Sequence, residues 1–506
     1  MTEEIQTQPV TGSALTDPLL GPDLPQTGAT VPLVIDLDGT LCRSDTLHEG
    51  MLSLIARQPT ALLRLPSWLA RGKSAFKRQI ADLSVLDPAL LPYDSDVLEM
   101  IAQARTEGRQ VGLVSAADHR QVEAVAAHLG IFSLAVGSGS LGTDGNLRGK
   151  AKADFLIAQF GAQGFDYLGD SATDLPVWKA ARHAFGVRLP PALQRRAASE
   201  GIALGGIGST GGWPIRALIR ACRPHQWAKN LLILLPVLAS QDLDGLPAAL
   251  LAMLCFSLTA SAIYIVNDLL DLPSDRVHPR KRNRPFASGA ANAVQGLTVS
   301  AGLLVVSMLL AGLFLPVNFL WILLFYLVTT TLYSLSFKRK MMADVIGLAA
   351  LYTLRIVAGS MATGIVLSPW LLVFSMFLFF ALATIKRQAE LEDLALRGKT
   401  ATEGRNLMVA DLPIYQAMSI AAAQAAVLVF ALYSQDNQVQ QHFGNPDLLL
   451  LICPVLMLWI GRMQLMTRRG FMTDDPIVFT LRDRVSLLCG VLMLVIFLVS
   501  ALGGWA

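Results

Sequence analysis

From about Trp213 to its end the chain is a succession of apolar segments of about 18 to 24 residues, each long enough to cross a hydrocarbon layer at about 1.5 Å per residue. About nine are expected, at 226–240, 246–266, 294–312, 316–336, 342–364, 369–385, 416–434, 447–465 and 485–503, the first short enough to lie obliquely. A backbone in lipid has to satisfy its own hydrogen bonds, so this half is expected to be all-α. With 53% hydrophobic and only 16% charged residues, and a mean hydropathy of +0.49, the composition excludes a disordered chain and an ordinary cytosolic enzyme. The formal net charge of +3 implies no nucleic-acid partner. Cys42, Cys222, Cys255, Cys453 and Cys489 stand singly, which suggests neither a disulfide framework nor a zinc site.

The connecting loops alternate in charge. Arg276 to Arg284, Lys338 to Lys340, Lys386 to Arg405 and Arg468 to Arg484 are Lys/Arg-rich, whereas 241–245, 313–318, 366–368 and 435–446 hold no Lys or Arg. The positive-inside bias makes the basic loops cytoplasmic, which places the N-terminal part inside and the C-terminus outside an inner (cytoplasmic) membrane.

Ahead of this half the pattern differs. Residues 1–30, rich in Thr, Gln, Pro, Gly and Asp, are expected to be a disordered tail. From 31 to 205 short β-like runs (Val31 to Ile35, Val111 to Ser115, Phe165 to Leu168, Ala184 to Val187) alternate with helical ones, the pattern of a parallel, Rossmann-like α/β sheet. Residues 206–214, which overlap the Gly-rich stretch Gly201 to Gly212, read as a linker to a second domain at 215–506.

Asp36 and Asp38 leave the C-terminal end of the run LVI, the end of a parallel strand where ligands bind. A carboxylate there can attack phosphorus while its neighbour handles the leaving-group proton. Ser115 ends a second strand and can donate to a phosphoryl oxygen; Lys152 can neutralise one, with Lys150 a rival for that role. Asp170 and Asp174 follow a third strand with spacing suited to Mg²⁺. In this order the motifs resemble those of haloacid dehalogenase-like phosphatases. The resemblance implies Asp36 as nucleophile, Asp38 as general acid/base, Ser115 and Lys152 as phosphate ligands, and Asp170 and Asp174, with Asp36 and Asp38, as the Mg²⁺ site. Residues 46–95, amphipathic and Arg/Lys-bearing, look like a small helical cap over that site.

The second apolar segment closes on Asn267-Asp268-Leu-Leu-Asp271-Leu-Pro-Ser-Asp275, whose carboxylates at i, i+3 and i+7 share a helix face and call for a cation such as Mg²⁺. The basic run Arg276 to Arg284 that follows suits a multiply phosphorylated ligand. NDxxDxxxD at that place resembles the UbiA-type intramembrane prenyltransferases, which bind a diphosphate through two Asp-rich motifs. In the second motif this chain has Tyr333, Lys338 and the single carboxylate Asp344; position 348 is leucine and Arg355 lies within the segment.

RPHQWAKNLL (Arg223 to Leu232), the stretch Asn267 to Gly289, LYTLRIVAG, KRQAEL (Lys386 to Leu391) and DDPIVF with LRDR (Asp474 to Arg484) are similar to one branch, the decaprenyl-phosphate phosphoribosyltransferases. That resemblance implies 5-phosphoribosyl 1-diphosphate as donor and a polyprenyl phosphate as acceptor. Asp268, Asp271 and Asp275 would hold Mg²⁺, Asp268 and Asp271 being the catalytic pair. Lys229, Asn230, Asn267, Arg282, Arg284, Tyr333 and Lys338 would bind substrate; Asp344 and Arg355 would orient either substrate or pair with one another. The expected protein is thus a bifunctional membrane enzyme. Its membrane half transfers 5-phosphoribose and its N-terminal half removes the 5-phosphate, leaving polyprenyl-phosphoryl-ribose, a pentose donor for a cell-envelope polymer or a secondary metabolite. The alternative is an aromatic prenyltransferase with a fused phosphatase or phosphate-sensing module.

Overall fold

A computed structural model of the chain describes residues 30–502 apart from 85, 141–145, 209–210, 402–405, 437–438, 441–442 and 473–474; the tail expected over 1–30 lies outside them except for Thr30. The N-terminal domain is built on six parallel strands, β1 (Leu33–Ile35), β2 (Val111–Asp118), β3 (Leu134–Ser138), β4 (Asp166–Gly169), β5 (Ala184–Val187) and β6 (Leu204–Ile207), in the order β3-β2-β1-β4-β5-β6. β1 is central because all three of its side chains are buried: Leu33 and Ile35 enter one core and Val34 the other, as the two-residue period of a strand requires. Register runs from Leu33 to Val111 on one side and to Asp166 on the other, so the chain reverses direction of growth at β1 and opens a crevice beyond its C-terminal end.

β3 and β6 carry weak strand signals, and β6 (LGGI) corrects the linker reading: the first part of the Gly-rich stretch pairs with β5. Residues 46–90 are helical, in the pieces Thr46–Arg57, Pro59–Leu63, Leu65–Ala70, Lys73–Leu83 and Pro88–Leu90, where the cap was expected.

In the second half, eight helices among the described residues are long and apolar enough to cross a membrane: Leu243–Leu270, Ala293–Phe314, Val317–Arg339, Ala343–Thr363, Pro369–Leu396, Val409–Ser434, Pro446–Arg468 and Arg484–Ala501. The ninth segment expected, 226–240, is not such a helix. It forms a 3-10 helix (Pro224–Leu234) and a short α-helix (Leu235–Ser240), and it runs antiparallel to the helix Leu246–Leu270. Arg223 pairs with Asp268 at one end, Trp227 and Asn230 bond to Ser261 and Ser257 further along, and the chain turns into Leu246 at the other. At Gly359 the backbone carbonyl of Ile233 comes so close that no Cβ would fit, which lets the helix Ala343–Thr363 lie directly on this irregular segment.

Lipid offers no hydrophobic drive between helices, and buried hydroxyls do part of the joining. Ser307 donates to the carbonyl of Cys255 (2.7 Å) and exchanges a bond with Thr259 (2.8 Å), while Ser300 donates to Ala262 (3.0 Å).

The halves meet through the cap. Glu49, on the helix Thr46–Arg57, receives two bonds from Arg276 (2.7 and 2.5 Å), and both residues are almost fully buried. Leu52, one turn on, sits in an apolar cluster with Leu269, Leu272 and Phe286 of the membrane half. Removing one partner of a buried pair costs about 3–5 kcal/mol, because a charge is stranded out of water. Glu49→Ala is therefore expected to accelerate amide exchange over Thr46–Arg57 by about a hundredfold or more, read by hydrogen–deuterium exchange. Unchanged protection would show that the docking does not rest on this pair.

Candidate active sites

Asp36 leaves β1 at the crevice, with its Oδ1 accepting from the Leu37 amide (2.8 Å) and its Oδ2 3.0 Å from Lys152 Nζ. Lys152 is delivered by the helix Lys150–Phe160, whose Lys150 points to solvent, so the structure selects Lys152. Lys152 also donates to Tyr167 (2.9 Å), which donates to Asp174 (2.9 Å), a chain of bonds that fixes the ammonium against the Asp36 carboxylate. Asp174 is turned inward by the Ser171 amide and hydroxyl, both at 3.1 Å.

Carboxylate oxygens of Asp36, Asp170 and Asp174 lie within 4.8 Å of one another, an all-oxygen donor set that fits Mg²⁺. Gly39 makes room for it: with φ at +75°, it lies where a Cβ would overlap the Asp170 carboxylate. The Asp38 carboxylate is not part of this acid group, which corrects its place among the metal ligands; instead it accepts from the Thr46 amide (2.7 Å), the first residue of the cap helix. Ser115 is buried in β2 beside Asp36, and its hydroxyl accepts from the Ala117 amide (3.2 Å).

Burial, and then the neighbouring carboxylates, push Asp170 well above the usual carboxylate range. Burial likewise raises Asp36, with Lys152 opposing and Asp174 adding to it. Asp38 is raised well above its ordinary value by burial and by Asp45, a shift toward the protonated form that suits the group expected to deliver a proton. Lys152 would be lowered by burial, but Asp36 and Asp174 overcome this and hold it charged. The sequence reading missed Lys77, which reaches from the cap helix Lys73–Leu83 to the carbonyl of Ala116 (2.6 Å), and Tyr167; a lysine in a cap and a tyrosine in a strand carry no motif.

The second site is a cavity of about 360 Å³ among the membrane helices, walled by eight Lys or Arg and four Asp or Glu. At one end Asp268 pairs with Arg223 and with Arg284 (3.1 Å), Arg284 also holds Asp275 (2.6 Å), and Asp271 takes Lys338 (3.0 Å). Asp268, Asp271, Asn267, Arg284, Tyr333 and Lys338 line the cavity as expected. Three expectations are corrected. Asp268, Asp271 and Asp275 do not converge as the phosphatase acids do, because arginines stand between them, and Asp275 lies off the cavity wall. Arg282 is exposed and off the wall as well; Lys281 and Arg284 face inward, as the 3-10 turn Lys281–Asn283 directs.

Asp344 and Arg355 do not pair. Asp344 is held by Arg387 (2.5 Å) and Tyr333 (2.5 Å), whereas Arg355 donates to Asn230 (2.9 Å) and stacks among the rings of Phe256, Tyr326 and Tyr352 at 5.4–5.6 Å. Asn230, itself bonded to Ser257, orients that guanidinium and does not line the cavity.

The chief omission of the sequence reading is Asp475. Its carboxylate accepts from Lys229 (2.6 Å), Lys386 (3.1 Å) and Tyr352 (3.0 Å), joining three segments far apart in the chain. Its only signal was the DDPIVF motif.

Comparison with known proteins gives two family matches: haloacid dehalogenase-like hydrolase over residues 33–179 and UbiA prenyltransferase family over residues 231–434. An uncharacterized protein y4nM of Sinorhizobium fredii is 35% identical over 476 residues, covering 93% of this chain and 91% of its own length. A decaprenyl-phosphate phosphoribosyltransferase of Corynebacterium glutamicum is 32% identical over 232 residues, 44% of this chain and 68% of that protein. Among solved structures, a UbiA homolog from Archaeoglobus fulgidus bound to GPP and Mg²⁺ aligns over 56% of this chain and 99% of its own, at 16% identity and a TM-score of 0.44.

A divalent cation entering the phosphatase site competes with protons for Asp36 and Asp170, whose carboxyl groups burial raises. The Mg²⁺ concentration giving half-maximal hydrolysis of a phosphate monoester is therefore expected to fall as pH rises through those raised values and to level off once both groups are ionised. A Mg²⁺ requirement independent of pH would contradict it.

Proposed function

Because the chain belongs to the UbiA prenyltransferase family in its membrane half and carries a haloacid dehalogenase-like hydrolase domain before it, we propose that it is a bifunctional integral membrane enzyme that builds and then dephosphorylates a ribosyl lipid. The observation that carries the choice of donor is the polarity of the cavity. Lys229, Lys386, Arg355 and Asp475 lie on its wall beyond the Asp-rich end, where the tail of a prenyl diphosphate would have to bury apolar surface against charge. A phosphorylated sugar diphosphate suits those walls, and 5-phosphoribosyl 1-diphosphate is the donor implied by the similarity to phosphoribosyltransferases.

In the transfer step a phosphate oxygen of a polyprenyl phosphate attacks ribose C1, and the bond from C1 to the diphosphate breaks. Lys338, Arg223 and Arg284 take up the charge that gathers on the departing pyrophosphate, at the end of the cavity where Asp268 and Asp271 lie. Mg²⁺, when bound in either half, supplies further neutralisation of phosphate charge. The product keeps its 5-phosphate.

In the second step Asp36 attacks that phosphorus, and the sugar O5 leaves with the proton held by Asp38. Water then hydrolyses the aspartyl phosphate, with Asp38 accepting a proton. Lys152 and Ser115 steady the phosphoryl oxygens. Docking of the cap on the Asp-rich segment through Glu49 and Arg276 supports consecutive use of the two sites from one side of the membrane, the cytoplasmic side by the distribution of basic loops.

Purified full-length protein in nanodiscs, given Mg²⁺, ribose-labelled donor and polyprenyl phosphate, is expected to yield a ribosyl lipid lacking the 5-phosphate. With Asp36→Asn the same labelled lipid is expected to accumulate 5-phosphorylated, as identified by mass. No labelled lipid, while a prenyl diphosphate and an aromatic acid do react, would overturn the reading in favour of an aromatic prenyltransferase.

A further inference from the structure

The charges on the cavity wall are unevenly divided. At the Asp-rich end the wall carries four cations, Arg223, Lys281, Arg284 and Lys338, and two carboxylates, Asp268 and Asp271, with Asp275 held by Arg284 behind it. Even with Asp275 included, that end keeps an excess of one positive charge. A second group, Arg387 with Asp344 and Glu390, has an excess of negative charge. The third group is different. Lys229, Lys386 and Arg355 surround a single carboxylate, Asp475, and carry an excess of two positive charges.

Tyr352 organises this third group. Its hydroxyl donates to Asp475 (3.0 Å), while Lys229 Nζ and the Arg355 guanidinium stand over its ring at 5.6 and 5.4 Å. Asp475 is nearly buried, and so is Lys229; Lys386 is the more accessible of the two ammonium groups. An excess of two matches the −1.5 to −2 charge of a phosphate monoester at neutral pH. It leaves no role for a neutral or apolar group.

We propose that Lys229 and Lys386, positioned by Asp475, form the subsite for the 5-phosphate of the sugar donor, separate from the diphosphate end. This assignment rests on the phosphoribosyl reading above and adds the specificity device to it: these lysines distinguish a phosphorylated sugar diphosphate from a prenyl diphosphate. Asp475 is a positioning residue, since its own negative charge opposes the ligand and its value lies in aiming two ammonium groups at one point.

The test is competition in the transfer assay with full-length protein, using ribose 5-phosphate and pyrophosphate as separate inhibitors under initial-rate conditions. Lys386→Met is expected to raise the inhibition constant of ribose 5-phosphate and the KM of the donor by about tenfold or more, with the constant for pyrophosphate moving less than about twofold. Lys386→Arg is expected to recover most of the loss. Asp475→Asn is expected to raise KM more than it lowers kcat, and Lys229→Met to repeat the Lys386→Met pattern. Equal weakening of both inhibitors, or weakening of pyrophosphate alone, would overturn the subsite while leaving the donor intact. Absence of phosphoribosyl transfer by the unmutated protein would instead overturn the donor reading itself.

Discussion

A charge at membrane depth is costly unless an opposite charge stands beside it, and the interior of the membrane half is arranged around that constraint. Asp268, Asp275 and Asp344 are each closed by an arginine, and Asp475 by two lysines. These pairings bind helices that lipid alone would leave apart: Arg387 ties the helix Pro369–Leu396 to Ala343–Thr363, and Lys229 ties the irregular entry segment to the loop carrying Asp475. The paired side chains of Asp268, Asp271, Arg284, Lys338, Lys229, Lys386 and Asp475 line the cavity wall.

The buried bridge between Glu49 and Arg276 makes the two halves mechanically continuous. Thr46, at the start of the cap helix, donates its amide to Asp38; Glu49, one turn later, grips the segment that follows Asp275. One short helix therefore touches Asp38 in the N-terminal crevice and the Asp-rich segment of the membrane half.

Much of this was legible in the chain because it depends on local patterns. The apolar runs identified the membrane helices, the LVI run followed by Asp36 and Asp38 identified the central strand and its site, and NDxxDxxxD identified one end of the cavity. Where reading failed, the cause was the same each time. β6 was hidden because Leu204–Ile207 contains two glycines and gains its strand identity only from pairing with β5. The segment 226–240 is apolar enough for a helix, yet Trp227 and Asn230 bond to the neighbouring helix and its backbone tightens to 3-10 geometry.

The sequence by itself determined which elements are apolar, which carboxylates come at helical or strand-end spacing, and that a soluble α/β half precedes a membrane half, since periodicity and segment length act over a few residues. The tertiary structure decided which charges meet: Arg387 with Asp344, for which Arg355 was one of the alternatives, Arg284 between Asp268 and Asp275, and Asp475 with Lys229 and Lys386. Those partners are tens to hundreds of residues apart, as Lys229 and Asp475 are. Coulomb attraction depends on distance in space, which only the packed helices set.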